Sequence, residues 1–173
     1  MFDHVTIVEV GPRDGLQNEP KTIGLDEKVN LINLLSTSGL KQIEVGSFVN
    51  PKMVPQMADS GLVFSKITRR PDVSYSALVP NLKGYEQAKK FVPDAIAIFC
   101  SASESFSKAN LNASIDESFK RISQFISRAE QDGILVRGYV FCVTDCPFEG
   151  PVPASNVAKV VAKLREFNCY EIS

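Results

Sequence analysis

The chain has 173 residues, 44% of them hydrophobic, and a formal net charge of -1 at pH 7, which supplies enough apolar material for one sizeable core. Lys and Arg are spread along it rather than clustered, so there is no basic footprint for nucleic acid, and no apolar run approaches the ~20 residues that a membrane span needs. Met1-Phe2-Asp3-His4 has neither an apolar signal core nor Arg-rich transit character, which makes the cytoplasm the expected compartment.

Short apolar strands alternate with helical patterns. The first strand is expected over about Val5 to Val10 and is broken by Gly11-Pro12. A helix follows from near Asp26 to Ser38, with Val29, Ile32 and Leu35 on one stripe, acidic residues in its first turn and Gly39 as its stop. Strand two is Gln42 to Val45, a short helix covers about Asp59 to Ile67, and strand three is Val73 to Val79. Strand four, Ala95 to Cys100, runs into a long Ser-rich connection, Ser101 to Asn112, expected to be a functional loop. Ser114 and Glu117 form a capping-box pattern ahead of the stripe Ile115, Phe119, Ile122, Phe125 and Ala129, which Gly133 closes. Strand five is Leu135 to Phe141, and a last helix spans about Ala154 to Phe167 with Val157, Val160, Val161 and Leu164 buried. Cys169 to Ser173 begins a sixth strand. With no linker or composition break, residues 1–173 read as one α/β domain of repeated βα units around a parallel sheet.

The stretch from Val8 to Pro20 carries the most chemistry. Arg13 and Asp14 stand side by side where the first strand ends, and a guanidinium fork beside a carboxylate can polarise one substrate from two sides, the carboxylate holding a hard cation. The competing reading is an ordinary surface pair in a turn. Glu9 and Glu44 each lie two residues before a Gly at a strand's C-terminal end, and buried carboxylates there need partners, for which Arg13 and Arg137 are the candidates. For Glu9 and Arg137 a buried structural ion pair and a catalytic role stand equally; for Glu44 the strand end favours function. Cys100, Cys142, Cys146 and Cys169 read as reduced thiols. Their spacing, with His4 the one histidine, does not make a structural zinc site. Asn112-Ala113-Ser114 matches a glycosylation acceptor, a pattern without meaning in a cytosolic protein.

Glu9-Val10-Gly11-Pro12-Arg13-Asp14-Gly15-Leu16-Gln17-Asn18-Glu19 closely resembles the first strand and loop of 3-hydroxy-3-methylglutaryl-CoA lyases, members of a metal-dependent lyase and acyltransferase superfamily built on a TIM barrel. Ile43 to Lys52, Val54 to Asp59, Pro80 to Gly84, Arg137 to Val140 and Cys169 to Ser173 resemble segments of the same family, in the same order. The resemblance implies a TIM (β/α)8 barrel, present here as an incomplete barrel of about five βα units and the start of strand six, since a whole barrel takes about 250 residues. It implies retro-Claisen cleavage of 3-hydroxy-3-methylglutaryl-CoA to acetyl-CoA and acetoacetate, a step of leucine degradation and ketone body formation. Arg13 is then expected to meet the developing enolate oxygen, Asp14 to ligate Mg2+ or Mn2+, Glu44 to act in catalysis, and Gln17, Asn110, Ser114 and Tyr139 to line the acyl-CoA pocket. Lys108 is a further candidate for a CoA phosphate. The implied partners are an acyl-CoA and, at full length, a second copy in a homodimer, with no nucleic acid and no membrane.

The family's remaining metal ligands, a His-x-His pair and an Asn, and its mobile Cys in a Gly-rich loop have no counterpart in the sequence. The chain is therefore expected to be the N-terminal part of a lyase domain, inactive alone and prone to associate through uncovered strand edges. A condensing acyltransferase of the same superfamily, such as an isopropylmalate or homocitrate synthase, and a non-catalytic fragment are the alternatives. Leu16-Gln17-Asn18-Glu19 favours the lyase over the synthase, which usually continues Arg-Asp-Gly with Glu-Gln.

Overall fold

The computed structural model describes residues 5–173, so His4 lies outside the described residues. Strand β1 (Val8–Glu9) is shorter than the apolar run around it. Val10 already has helical backbone angles, and Gly11–Gly15 form one wide π turn in which the N–H groups of Arg13 and Asp14 both donate to the Val10 carbonyl, at 3.0 and 2.7 Å. Pro12 suits the start of such a turn because its missing N–H is one the turn does not use. A Cβ on Gly11 would come within 2.7 Å of the Glu9 carboxylate, which accepts the Gly11 N–H at 2.6 Å.

The following elements are α1 (Leu25–Ser36), β2 (Gln42–Ser47), α2 (Ser60–Lys66), β3 (Ser74–Leu78), α3 (Leu82–Ala88), β4 (Ala95–Ser101), α4 (Glu104–Leu111), α5 (Ile115–Gln131), β5 (Leu135–Phe141), β6 (Asp145–Cys146), β7 (Gly150–Pro151), α6 (Ala154–Glu166) and β8 (Glu171–Ile172). The main sheet has the order β1-β2-β3-β4-β5-β8, and β6-β7 make a separate two-stranded ladder. The β1–β2, β2–β3 and β5–β8 pairs run parallel. Sequential parallel strands joined by helices are the plan of a TIM barrel, here with six strands where a closed barrel has eight.

The described chain falls into two compact units, one running to Val79 and including Lys83–Ile96, the other comprising Pro80–Leu82 and Ala97–Ser173. In the first, Ile32, Ile43, Val45, Val63, Phe64 and Tyr75 form the core, with Val29 and Leu35 of the expected α1 stripe packed at its edge. Lys28 is buried as well, its ammonium donating to the Gln56 carbonyl and pairing with Asp59 at 2.7 Å. Gly46 is dictated by a close approach, because a Cβ there would lie 2.5 Å from Ser60 Oγ, which itself accepts the Ser47 N–H. A register shift between Glu44 and Gly46 accompanies it.

In the second unit α5 buries Phe119, Ile122, Phe125 and Ala129 as its stripe requires. Of the four α6 residues expected inside, Val160 and Leu164 are buried and Val157 and Val161 are half-buried. The Ser101 to Asn112 connection is not a loop: Glu104–Leu111 is helical. Ser103 caps it by accepting the Phe106 N–H at 3.1 Å, and Asn112 ends it in the left-handed region at φ 47°. Ser and Asn serve here as caps rather than as loop residues.

Candidate active site

The π turn after β1 aims Arg13 toward the neighbouring strand. Its Nε donates to Oε1 of Glu44 on β2, and its Nη1 donates to Asp14 Oδ1 at 2.6 Å. Glu44 is wholly buried and the Arg13 side chain is 10% exposed, whereas that of Asp14 is 56% exposed. One guanidinium thus stands between a carboxylate sealed in the protein and a carboxylate open to solvent. Five N–H donors sit on the fork, and Glu44 and Asp14 take one each, so donors remain for an oxygen anion. Asp14 is also fixed through its backbone, whose carbonyl accepts the Asn18 side-chain amide at 2.8 Å. Gln17 is half-buried on the turn that follows. Glu9 meets a backbone N–H rather than an arginine. Ser47, at the end of β2, has a buried hydroxyl without a hydrogen-bond partner among the described residues, a feature that the sequence alone did not single out.

The second unit holds the other candidates. Asn110 lies exposed on α4, its amide turned back to the Phe106 carbonyl at 3.3 Å, and Lys108 is exposed two residues before it. Ser114 is half-buried and caps α5, accepting the Glu117 N–H at 3.1 Å while Glu117 accepts the Ser114 N–H at 2.7 Å. That bond from the Ser114 backbone, with help from its hydroxyl, holds the Glu117 carboxyl below the usual range. Tyr139 is half-buried on β5 with the Arg137 guanidinium 5.5 Å from its ring centre. Arg137 itself faces Glu171 across the β5–β8 register and grips it at 2.8 and 2.9 Å, with Ser173 Oγ at 2.8 Å. A cavity of about 920 Å³ lies between α5 and α6, floored by Phe119, Val160 and Phe167. None of the candidate residues lines it, and the polar geometry of the strand ends is the better guide to chemistry.

A model of the HMGL-like family matches residues 4–173. The chain belongs to the HMGL-like family. It is 51% identical over 170 residues to a zebrafish (Danio rerio) protein named 3-hydroxy-3-methylglutaryl-CoA lyase, cytoplasmic, covering 98% of this chain and 51% of that one. A Pseudomonas aeruginosa 3-hydroxy-3-isohexenylglutaryl-CoA/hydroxy-methylglutaryl-CoA lyase is 50% identical, covering 98% and 56%. Among solved structures, a hydroxymethylglutaryl-CoA lyase from Pseudomonas aeruginosa superposes with a TM-score of 0.94 at 49% identity, over 97% of this chain and 56% of that chain. An HMG-CoA lyase from Acinetobacter baumannii, solved with coenzyme A and 3-methylmalate, gives 0.93 at 36% identity, over 96% and 54%. This HMGL-like chain spans about half the length of the curated relatives it matches.

Asp14 is a hard oxygen donor of the kind that Mg2+ or Mn2+ takes. Among the described residues, however, no three His, Cys, Asp or Glu side chains converge on a cation position, so a whole metal site is not assembled from them. No helix of the described residues is long and apolar enough to cross a membrane. Burial pushes two of the four thiols up, Cys100 to about 12 and Cys169 to about 11.

Proposed function

We propose that the protein is a divalent-metal-dependent carbon-carbon lyase that cleaves 3-hydroxy-3-methylglutaryl-CoA to acetyl-CoA and acetoacetate. The observation that carries this reading is the Arg13 fork held between buried Glu44 and exposed Asp14, in a chain half-identical to named HMG-CoA lyases. In the reaction a base takes the proton of the tertiary hydroxyl, a carbonyl forms, and the carbon-carbon bond pair passes to the thioester as an enolate that is then protonated. Negative charge grows on the thioester oxygen. Arg13 meets that oxygen with its remaining donors, and because Glu44 fixes its Nε edge the fork does not reorganise as the charge develops. Gln17, Asn110, Ser114 and Tyr139 hold the acyl-CoA in place. A divalent ion, Mg2+ or Mn2+, would supply Lewis acidity, with Asp14 as one of its oxygen ligands.

Residues 1–173 are, in this proposal, the N-terminal part of one TIM-barrel lyase domain of a cytoplasmic homodimer. The test measures acetoacetate release from the thioester with Mg2+ or Mn2+, for the 173 residues alone and for the same chain extended through the remaining barrel strands. Turnover is expected only from the extended chain, because a single carboxylate leaves a divalent ion mostly hydrated. Comparable turnover by both would overturn the incomplete-site reasoning, and none by either would overturn the lyase reading.

A further inference from the structure

The irregularity in β2 lies directly after Glu44, and Ser60 is what holds it. Along β2 and β3 the register runs from Glu44 opposite Ser76 to Gly46 opposite Ala77, so Val45 is one extra residue on β2. Such a bulge bends its strand and re-aims the side chains beside it. Pairing of β2 with β1 ends at Ile43 opposite Glu9, where the first strand gives way to the π turn. The Phe48 N–H donates to the Leu78 carbonyl on β3 at 2.9 Å, so the Ser47 N–H, one residue earlier, points to the side that β1 has left. Ser60 meets it there: its Oγ accepts the Ser47 N–H at 3.0 Å and donates to the Met57 carbonyl at 2.8 Å. The bond to Met57 takes the one hydroxyl hydrogen and leaves a lone pair for Ser47. Ser60 is buried, and without its hydroxyl both backbone groups would lose that partner.

The segment that delivers Ser60 is itself held from two directions. The buried Lys28 ammonium on α1 donates to the Gln56 carbonyl and pairs with Asp59 at 2.7 Å. The Gln56 side-chain amide brackets the chain that follows the Arg13 turn, accepting the Ile23 N–H at 3.0 Å and donating to the Lys21 carbonyl at 3.0 Å. Residues 55–60 therefore grip both connections at the strand ends. One carries Arg13 and Asp14, and the other begins three residues after Glu44.

We infer that Ser60 is a positioning residue for the Arg13–Glu44 pair. Its hydroxyl fixes the Ser47 N–H, the bulge at Val45 is thereby held, and Glu44 stays aimed at Arg13 Nε. Ser60 acts through Glu44 and not on substrate. Without the hydroxyl the end of β2 is free to relax toward a regular ladder, and the carboxylate that fixes the guanidinium moves with it. Gly46 belongs to the same device, since a Cβ there would lie 2.8 Å from the Cβ of Ser60 and push the two segments apart. The expected loss of rate rests on the lyase reading, whereas the expected change at Arg13 does not.

The test compares Ser60→Ala with the parent in the chain extended through the remaining barrel strands. Hydrogen exchange of the Arg13 Nε–H is followed by NMR of protein carrying isotope-labelled arginine, the signal being assigned by its loss in Arg13→Lys, and lyase kinetics are measured beside it. In the parent this N–H is buried against Glu44 and should exchange slowly; in Ser60→Ala its exchange should speed up several-fold. Because displacement of a catalytic group by a fraction of an ångström is costly, kcat should fall about 10- to 100-fold while KM changes much less. Parental exchange in Ser60→Ala, or faster exchange with parental kcat, would overturn the inference, and so would a lower melting temperature with both readouts unchanged. An extended parent without turnover would remove the lyase reading alone, and the exchange readout would still decide the part played by Ser60. Circular dichroism confirms folding, and Ser60→Gly is read in the same way should the alanine variant not fold.

Discussion

Replacing Arg13 by Lys tests the centre of the proposed site, because it keeps one positive charge and removes the fork. In the wild type Nε serves Glu44 and Nη1 serves Asp14, leaving further donors for an enolate oxygen. An ammonium is a point charge and cannot hold both carboxylates and the oxyanion in one plane. Loss of one preorganised oxyanion donor costs about 100- to 1,000-fold in kcat, so a fall of that size is expected in the extended enzyme, with KM changing much less. Stability should change little, since Lys still offsets the charge of Glu44. Arg13→Met should behave differently: Glu44 is fully buried, and stripping a buried carboxylate of its partner costs about 3–5 kcal/mol. Adding Glu44→Gln to Arg13→Met removes the charge that Arg13 offset and should recover part of that loss. Steady-state lyase kinetics and denaturant unfolding of the three variants separate the two effects. Near-wild-type kcat in Arg13→Lys would refute the catalytic reasoning, and an unaltered unfolding free energy in Arg13→Met would refute the structural half.

Asp14→Asn should abolish metal-dependent turnover while shifting stability by no more than about 1 kcal/mol, because the Asp14 side chain is 56% exposed and Arg13 keeps its bond to Glu44; retained activity with unchanged metal affinity would remove it from the ligand set. The capping box of α5 should show in pH. Glu117 has a folded-state pKa held below its usual value, so its contribution is present above the ordinary carboxylate range and is lost as pH falls through that lower value. Thermal melting of the parent and of Glu117→Gln should therefore differ most near about pH 7 and converge as pH falls below the ordinary carboxylate range. A gap independent of pH would show that the carboxylate charge plays no part.

The βα alternation was legible where a helix carried an apolar stripe and terminal signals, as α1 and α5 did. Ser114 and Glu117 predicted the start of α5 to the residue, and the strands from β2 to β5 fall within about two residues of their apolar runs. What failed to show was local backbone chemistry. Val5 to Val10 reads as a strand by composition, yet pairing stops at Glu9 because the wide turn already claims the Val10 carbonyl. The serines from Ser101 to Ser107 read as loop, yet Ser103 uses its hydroxyl to start a helix. The bond of Arg13 to Glu44 was anticipated as a need of buried carboxylates. The side-by-side Arg13 and Asp14 were read as a pair and are bonded, whereas the unpaired hydroxyl of Ser47 goes with a β2 irregularity that no periodicity encodes.

The chain contains two buried arginines beside a glutamate on the next strand, and their loading explains why the proposal assigns catalysis to only one of them. Arg137 lies opposite Glu171 in register, and its two Nη atoms go to Glu171 and Ser173. A bidentate grip of this kind satisfies the fork along its outer edge, the edge a substrate oxygen would need. Arg13 is held instead by its Nε side and one Nη1 hydrogen, so its outer edge stays available. Arg13 stands between two carboxylates, one of them open to solvent. A divalent ion at Asp14 would draw off part of that negative charge and leave the guanidinium more strongly positive toward an enolate. In the proposed site, the second carboxylate would therefore let the charge balance around Arg13 change when a cation binds.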